Sequence, residues 1–303
     1  MGILLHSLRR RVWPRNGKRQ SVLPVNVNGR RFKRVMCGDS HQAQAIAACL
    51  EAFGPSPHLP TVVLTTGKEV WVDYLAGRPF RPDDGSDLDC IYAFYGHLYN
   101  RRPYQQALED TVYPERLSRD LWVLQEVGAL DSQTAARLLS RAESHAPEQV
   151  WIGFDYDDAR LDNFLLGSNG TPIGIDVENL KGDTLLGMGL ASARLHWAHR
   201  HGPPFARMCA ENGLSDIATS FPFIDFCYRA AILKQRHVKR KRSVRGKDAA
   251  ELLEAAFQDP LEASDTGMQA SVSARVSDST AGIPHGKPGE TYAPLPDRPG
   301  EAG

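Results

Sequence analysis

The pattern of apolar and polar positions changes near Gly77. Before it, short apolar runs broken by turn residues predict a mainly β unit. "SVLPVNV" and "RRFKRVM" flank Asn28-Gly29, the strongest short hairpin signal, and a second Asn-Gly at Asn16-Gly17 turns an earlier strand, "RRRVW", into the same meander. Asp39 and Ser40 offer N-caps for a helix through "HQAQAIAACLEAF", whose Ala43, Ile46, Ala47 and Leu50 share one face. "TVVLTTGKEVWVDYL" then returns as a hairpin about Thr66-Gly67. The predicted order is strand, strand, strand, helix, strand, strand. From Leu88 to Ala146 the spacing is helical, through "LDCIYAFYGHLYN", "PERLSRDLWVLQEVGA" and "DSQTAARLLSRAESH", and it is helical again from Leu185 to about Phe257.

The stretch 151–181, "WIGFDYDDARLDNFLLGSNGTPIGIDVENLK", interrupts the helices with strand-like runs and an Asn-Gly turn. It carries five Asp and one Glu in an otherwise apolar segment. A solvated loop explains some of these carboxylates, but not an Asp inside "IGIDVEN". Asp158 and Asn163 lie five residues apart, and Asp176 follows Asn163 by thirteen, beyond a strand–turn–strand.

This order and spacing resemble the catalytic core of the protein-kinase-like phosphotransferases. "DARLDN" matches their catalytic loop and "IDVEN" their metal-binding segment. The resemblance implies that Asp158 orients and deprotonates the acceptor hydroxyl, while Asn163 and Asp176 hold Mg²⁺ against the phosphates of ATP. Such a reaction leaves the protein little covalent work, so oxygen ligands for a hard cation and one positioned carboxylate are its main tools. Upstream, "LPTVVLTTGKEVWVDYLAGRPF" looks like the hinge of aminoglycoside and choline-type kinases, with Asp73 and Leu75 in its nucleotide-facing linker. Lys33 stands at the place of the phosphate-binding lysine, and Glu51, eighteen residues on, at that of its ion-pair partner. The resemblance covers about residues 20 to 200. It implies an α+β, two-lobed protein-kinase-like fold: a small, mainly β N-lobe and hinge over 1–77 and a larger, mainly α C-lobe over 78–258. "IDVE" where protein kinases have Asp-Phe-Gly, and the lack of an Ala-Pro-Glu motif, put the small-molecule and lipopolysaccharide-core kinase branches nearest.

The sequence departs from the family at three places. No GxGxxG loop exists, and "PRNGKRQ" is the candidate turn over the phosphates; Tyr156-Asp157 stands where the family has His-Arg or His-Gly; "GMGLA" stands where Asp-Leu-Ala is expected. Asp155 and Asp157 crowd Asp158; they either raise its proton affinity or point to solvent on alternate faces, the latter being the default.

The chain has 303 residues, 42% hydrophobic and 24% charged, as soluble globular proteins do. Lys plus Arg equals Asp plus Glu at 36 each, so overall charge indicates no partner. The distribution says more: no acidic residue precedes Asp39, and "KQRHVKRKRSVRGK" (234–247) is a second basic run. Five widely spaced cysteines without CxxC pairing fit reduced thiols, and no apolar run approaches membrane-span length, which together predict a cytoplasmic protein, peripheral at the inner membrane face if its basic segments meet anionic lipid. The expected function is ATP-dependent phosphorylation of a hydroxyl on a small molecule or glycan, a lipopolysaccharide-core sugar included. The rivals are an inactive kinase-like scaffold and a regulatory protein that binds anionic membrane or, less readily, nucleic acid.

From Asp259 to Gly303 the chain is dense in Pro, Gly, Ser and Asp with almost no large apolar residues, the composition of a disordered tail. Truncation after Gln258 is therefore expected to leave the melting temperature unchanged, as a thermal scan of the two lengths would show. A marked loss would mean that the tail docks on the folded part.

Overall fold

The computed structural model describes residues 21–81, 85–197, 203–240 and 246–258. The expected first strand "RRRVW", the turn "PRNGKRQ", the stretch 241–245 of the basic run and the tail 259–303 lie outside them.

The N-terminal part is a four-stranded antiparallel sheet with one helix. Its strands are β1 (Ser21–Val27), β2 (Arg30–Met36), β3 (Val62–Thr66) and β4 (Glu69–Asp73), in the order β1-β2-β4-β3. Asn28 and Gly29 both have positive φ (51° and 80°), the conformation a two-residue hairpin loop demands, and this fixes Val27 opposite Arg30. Val70 and Val72, one pleat apart, turn to the interior. There they meet α1 (Ser40–Phe53) through Ala43, Ile46, Leu50 and Phe53. Asp39 caps that helix, its carboxylate accepting the Gln42 N–H at 2.8 Å, and Gly54 at φ 86° ends it.

A short linker leads to β5 (Arg78–Pro79) and the helical part: α2 (Gly85–Tyr99), β6 (Tyr104–Ala107), α3 (Tyr113–Glu126), α4 (Ser132–Ser144), β7 (Gln149–Tyr156), β8 (Phe164–Leu166), β9 (Pro172–Gly174), β10 (Leu180–Leu185), α5 (Met188–Trp197), α6 (Pro203–Glu211), α7 (Ser215–Arg240) and α8 (Gly246–Glu254). Two small sheets lie among the helices, β10-β7-β6 and β5-β8-β9. The sequence pattern predicts the β8–β9 hairpin. It misses β6, whose "YQQA" is polar, and β10, whose ladder to β7 is irregular between Lys181 and Thr184.

α2 runs through the core, with Ile91, Phe94, Tyr95, Leu98 and Tyr99 fully buried. Phe94 meets Tyr95, Tyr156 and Phe164 edge-on, at centroid distances of 5.4, 5.4 and 5.2 Å. The described C-terminal end is fastened to the same body. Phe257 stacks on Phe226 at 5.0 Å, Arg229 donates to the Leu252 carbonyl, and Arg194 donates to that of Gln258. Arg194 and Arg229 also share the fully buried Asp225 carboxylate. Within the described part of the basic run, Lys234, its first residue, pairs with the buried Asp120 of α3.

Since Phe94 ties α2 to the segment carrying the candidate site, Phe94→Ala leaves a cavity where four aromatic rings meet. The expected cost is about 3–5 kcal/mol, read as a lower denaturant midpoint with an unchanged slope.

Candidate active site

β7 is the middle strand of its sheet, and at its end the chain turns into the loop 157–163, in which Ala159 and Asn163 are buried. Tyr156 is fully buried. Its hydroxyl accepts the Asp176 N–H at 2.9 Å and donates to the Asn163 carbonyl at 3.3 Å. The Asn163 carbonyl also accepts the Ile175 N–H at 2.9 Å, and the Asn163 side-chain nitrogen donates to the Asp158 carbonyl at 2.8 Å. The loop with Asp158 and Asn163 and the segment with Asp176 are thus one hydrogen-bonded knot, closed by the β8–β9 hairpin, whose Gly170 takes the positive φ (79°) its turn requires.

Two observations bear on whether a hard cation fits here. The Asn163 amide nitrogen is engaged, so its oxygen is the atom left for a ligand. The Asp176 carboxylate has no hydrogen-bond or ion-pair partner among the described residues. Two oxygen donors from the protein, with phosphate oxygens and water completing the shell, suit Mg²⁺. No cluster of three or more His, Cys, Asp or Glu able to hold a metal occurs among the described residues.

Lys33 reaches this knot from β2. Its ammonium donates to the carbonyl of Ile175, the residue before Asp176. Burial lowers its pKa, while the charges of Asp176 and Glu178 act against the shift. Glu51 is not the partner of that lysine. It is exposed on α1, one residue past the buried Leu50 and so turned about 100° away from the packed face. The acidic neighbours of Lys33 are Asp176 and Glu178.

In the linker, Asp73 lies 3.7 Å from Arg30 and its N–H donates to Thr61, while the Tyr74 N–H donates to Arg31. The half-buried Leu75 has no backbone partner for its N–H among the described residues. Gly77 lies against β8: a Cβ there would come within 2.8 Å of the Leu166 carbonyl, so only glycine lets the linker cross so closely.

The three clustered aspartates do not alternate into solvent. Asp155 is fully buried, and burial pushes its carboxyl up to about 7 against the opposing N–H groups of Gly189 and Tyr156. Asp157 is pushed up to about 6, first by burial; Lys181 pulls it down and Asp158 adds to the rise. Motif reading takes Asp155 only as a charge beside Asp158 and Tyr156 only as a departure from the family, and it passes over Ser192. Ser192 accepts the Ala159 N–H at 3.0 Å and the Tyr228 hydroxyl at 2.8 Å from inside an apolar helix, where the sequence carries no sign of it.

No family model and no curated protein matches the sequence. Solved structures do. The choline kinase LicA from Streptococcus pneumoniae superposes with a TM-score of 0.53 at 11% identity, over 78% of this chain and 88% of that one. The aminoglycoside phosphotransferase APH(4)-Ia, a thermostable mutant in ternary complex with ADP and hygromycin B, gives 0.54 at 13%, over 80% and 91%. An ethanolamine kinase from Plasmodium vivax gives 0.51 at 9%, over 79% and 82%. The chain has the two-lobed protein-kinase-like fold.

Replacing Tyr156 by Phe keeps the ring and removes the only hydroxyl in the knot. The Asp176 N–H then has no partner, a loss of about 1–3 kcal/mol that equilibrium unfolding of the variant would measure. No change would mean that another acceptor takes up that N–H.

Proposed function

We propose that the chain is an ATP- and Mg²⁺-dependent phosphotransferase whose acceptor is a hydroxyl of a small molecule or glycan. The observation that carries this reading is the knot itself: Asp158, Asn163 and Asp176 meet through backbone and amide bonds that leave the Asp176 carboxylate and the Asn163 amide oxygen for a cation. In this reading Asp158 holds the acceptor hydroxyl and takes its proton as the oxygen attacks the terminal phosphorus. Asn163 and Asp176 would hold Mg²⁺, which would offset the charge of the phosphates. Lys33 stands beside Asp176 for the same phosphates, and Leu75, two residues after Asp73, would offer the adenine edge its N–H, which has no backbone partner among the described residues. Glu51 has no part in it.

Three of the structural neighbours are a choline kinase, an ethanolamine kinase and an aminoglycoside phosphotransferase, so small hydroxylated molecules are the acceptors to screen first. A lipopolysaccharide-core sugar is the glycan form of the proposal, with the basic N-terminal segment against an anionic leaflet at the inner face of the membrane. No described helix is long and apolar enough to cross a membrane, so such a contact would be peripheral through these helices.

Two measurements test the reading together. ATP with Mg²⁺ is expected to raise the melting temperature, ATP with a chelator much less, and Asp176→Ala to abolish the difference. Asp158→Asn is expected to bind nucleotide as the wild type does and to turn over about 10²–10⁴-fold more slowly. Metal-dependent binding without turnover in any acceptor screen would instead favour the inactive scaffold.

A further inference from the structure

β7 carries a fully buried carboxylate that the proposed reaction does not use. Asp155 Oδ1 accepts the N–H of Tyr156 at 2.7 Å, and Oδ2 accepts the N–H of Gly189 at 3.2 Å and the hydroxyl of Tyr99 at 3.3 Å. A lone ion at such depth is costly, and an apolar side chain of the same size would leave these donors unpaired. Gly189 lies in the first turn of α5, whose N–H groups have no partner within the helix and carry its positive end. The approach is close: a Cβ on Gly189 would lie 2.3 Å from the Tyr156 carbonyl, 2.5 Å from the Tyr95 ring and 2.6 Å from Asp155 Oδ1.

We infer that Asp155 is a positioning residue for the phosphotransfer centre, clamping the end of β7 onto the start of α5 so that the loop carrying Asp158 leaves the sheet at one fixed angle. This inference rests on the phosphotransferase reading. Two features separate it from simple burial of a satisfied carboxylate. Tyr156, the residue it grips, is also the residue whose hydroxyl binds the Asp176 segment and the Asn163 carbonyl. A second clamp closes on the other side of Asp158: the Ala159 N–H donates to Ser192, which lies three residues after Gly189 on the same face of α5. Asp158 therefore sits between two fixed points on one helix, which is how a carboxylate is kept in the geometry that transfer needs. A displacement of about 1 Å at such a group costs on the order of a hundredfold in rate.

The test compares Asp155→Asn, Ser192→Ala and Tyr99→Phe. The Asn variant keeps the shape but turns an NH₂ group toward one of the N–H donors. It is expected to bind ATP with Mg²⁺ within about threefold of the wild type while kcat for ATP turnover falls ten- to a hundredfold. Hydrogen exchange at 156–160 is expected to speed up, with 150–153 unchanged. Ser192→Ala, the milder change, gives the same split at smaller amplitude and serves if the Asn variant does not fold. Tyr99→Phe removes a donor to the same carboxylate without touching the loop, so it lowers the melting temperature and leaves kcat intact. Wild-type kcat and exchange in folded Asp155→Asn, or in Ser192→Ala where that variant does not fold, overturns the inference, as does an equal loss of kcat in Tyr99→Phe. If the wild type turns over no ATP with any acceptor, the phosphotransferase reading fails by itself, and the exchange at 156–160 then decides the clamp: unchanged exchange overturns it and faster exchange there supports it.

Discussion

Where β7 ends, the chain needs partners for backbone groups that no water can reach, and the rest of the site follows from how they are supplied. An unpaired buried N–H or carbonyl costs as much as a lost hydrogen bond, so the path of the loop is fixed by its acceptors and donors. The Tyr156 N–H goes to Asp155, the Tyr156 carbonyl to the Tyr95 hydroxyl, the Asp157 N–H to the Asn179 carbonyl and the Ala159 N–H to Ser192. Each partner comes from a different place in the fold. The loop is consequently shaped by α2, β7, α5 and the turn after Asp176 together, and its geometry is only as good as their packing.

Tyrosine is the side chain that makes this workable. A hydroxyl accepts and donates at once, while its ring packs as phenylalanine does. Tyr99 accepts the Gly187 N–H and donates to Asp155; Tyr156 accepts the Asp176 N–H and donates to Asn163. Around them the rings of Phe94 and Phe164 exclude water, which strengthens these bonds and makes any unfilled one expensive. Aromatic core and polar core are the same set of residues seen from two sides.

What the sequence discloses follows from which signals are local. The spacing of Asp158, Asn163 and Asp176 is legible because it measures one loop and one hairpin, and Asn28-Gly29 because its turn dictates those residue types. Lys33 is read as the phosphate-binding lysine from its place in "RRFKRV", and the fold does bring it beside Asp176. Glu51 is not, because on a helix an error of one residue turns a side chain by about 100°. Asp155, Asp157 and Asp158 look alike in a string of letters, and only tertiary packing distinguishes the buried one. β10 is missed for the related reason that its pairing with β7 supplies what its own polar sequence lacks.

Gly189 bears on which substitutions this fold tolerates. The space beside the Tyr156 backbone is filled by a carboxylate that enters from β7, and α5 contributes only a bare backbone. The same space admits a side chain from α5 if β7 gives it up; it does not admit both. Positions 155 and 189 are therefore coupled: an acidic side chain placed on the helix fits only where the one on the strand is removed, and a single substitution at either position meets a full site or leaves an empty one.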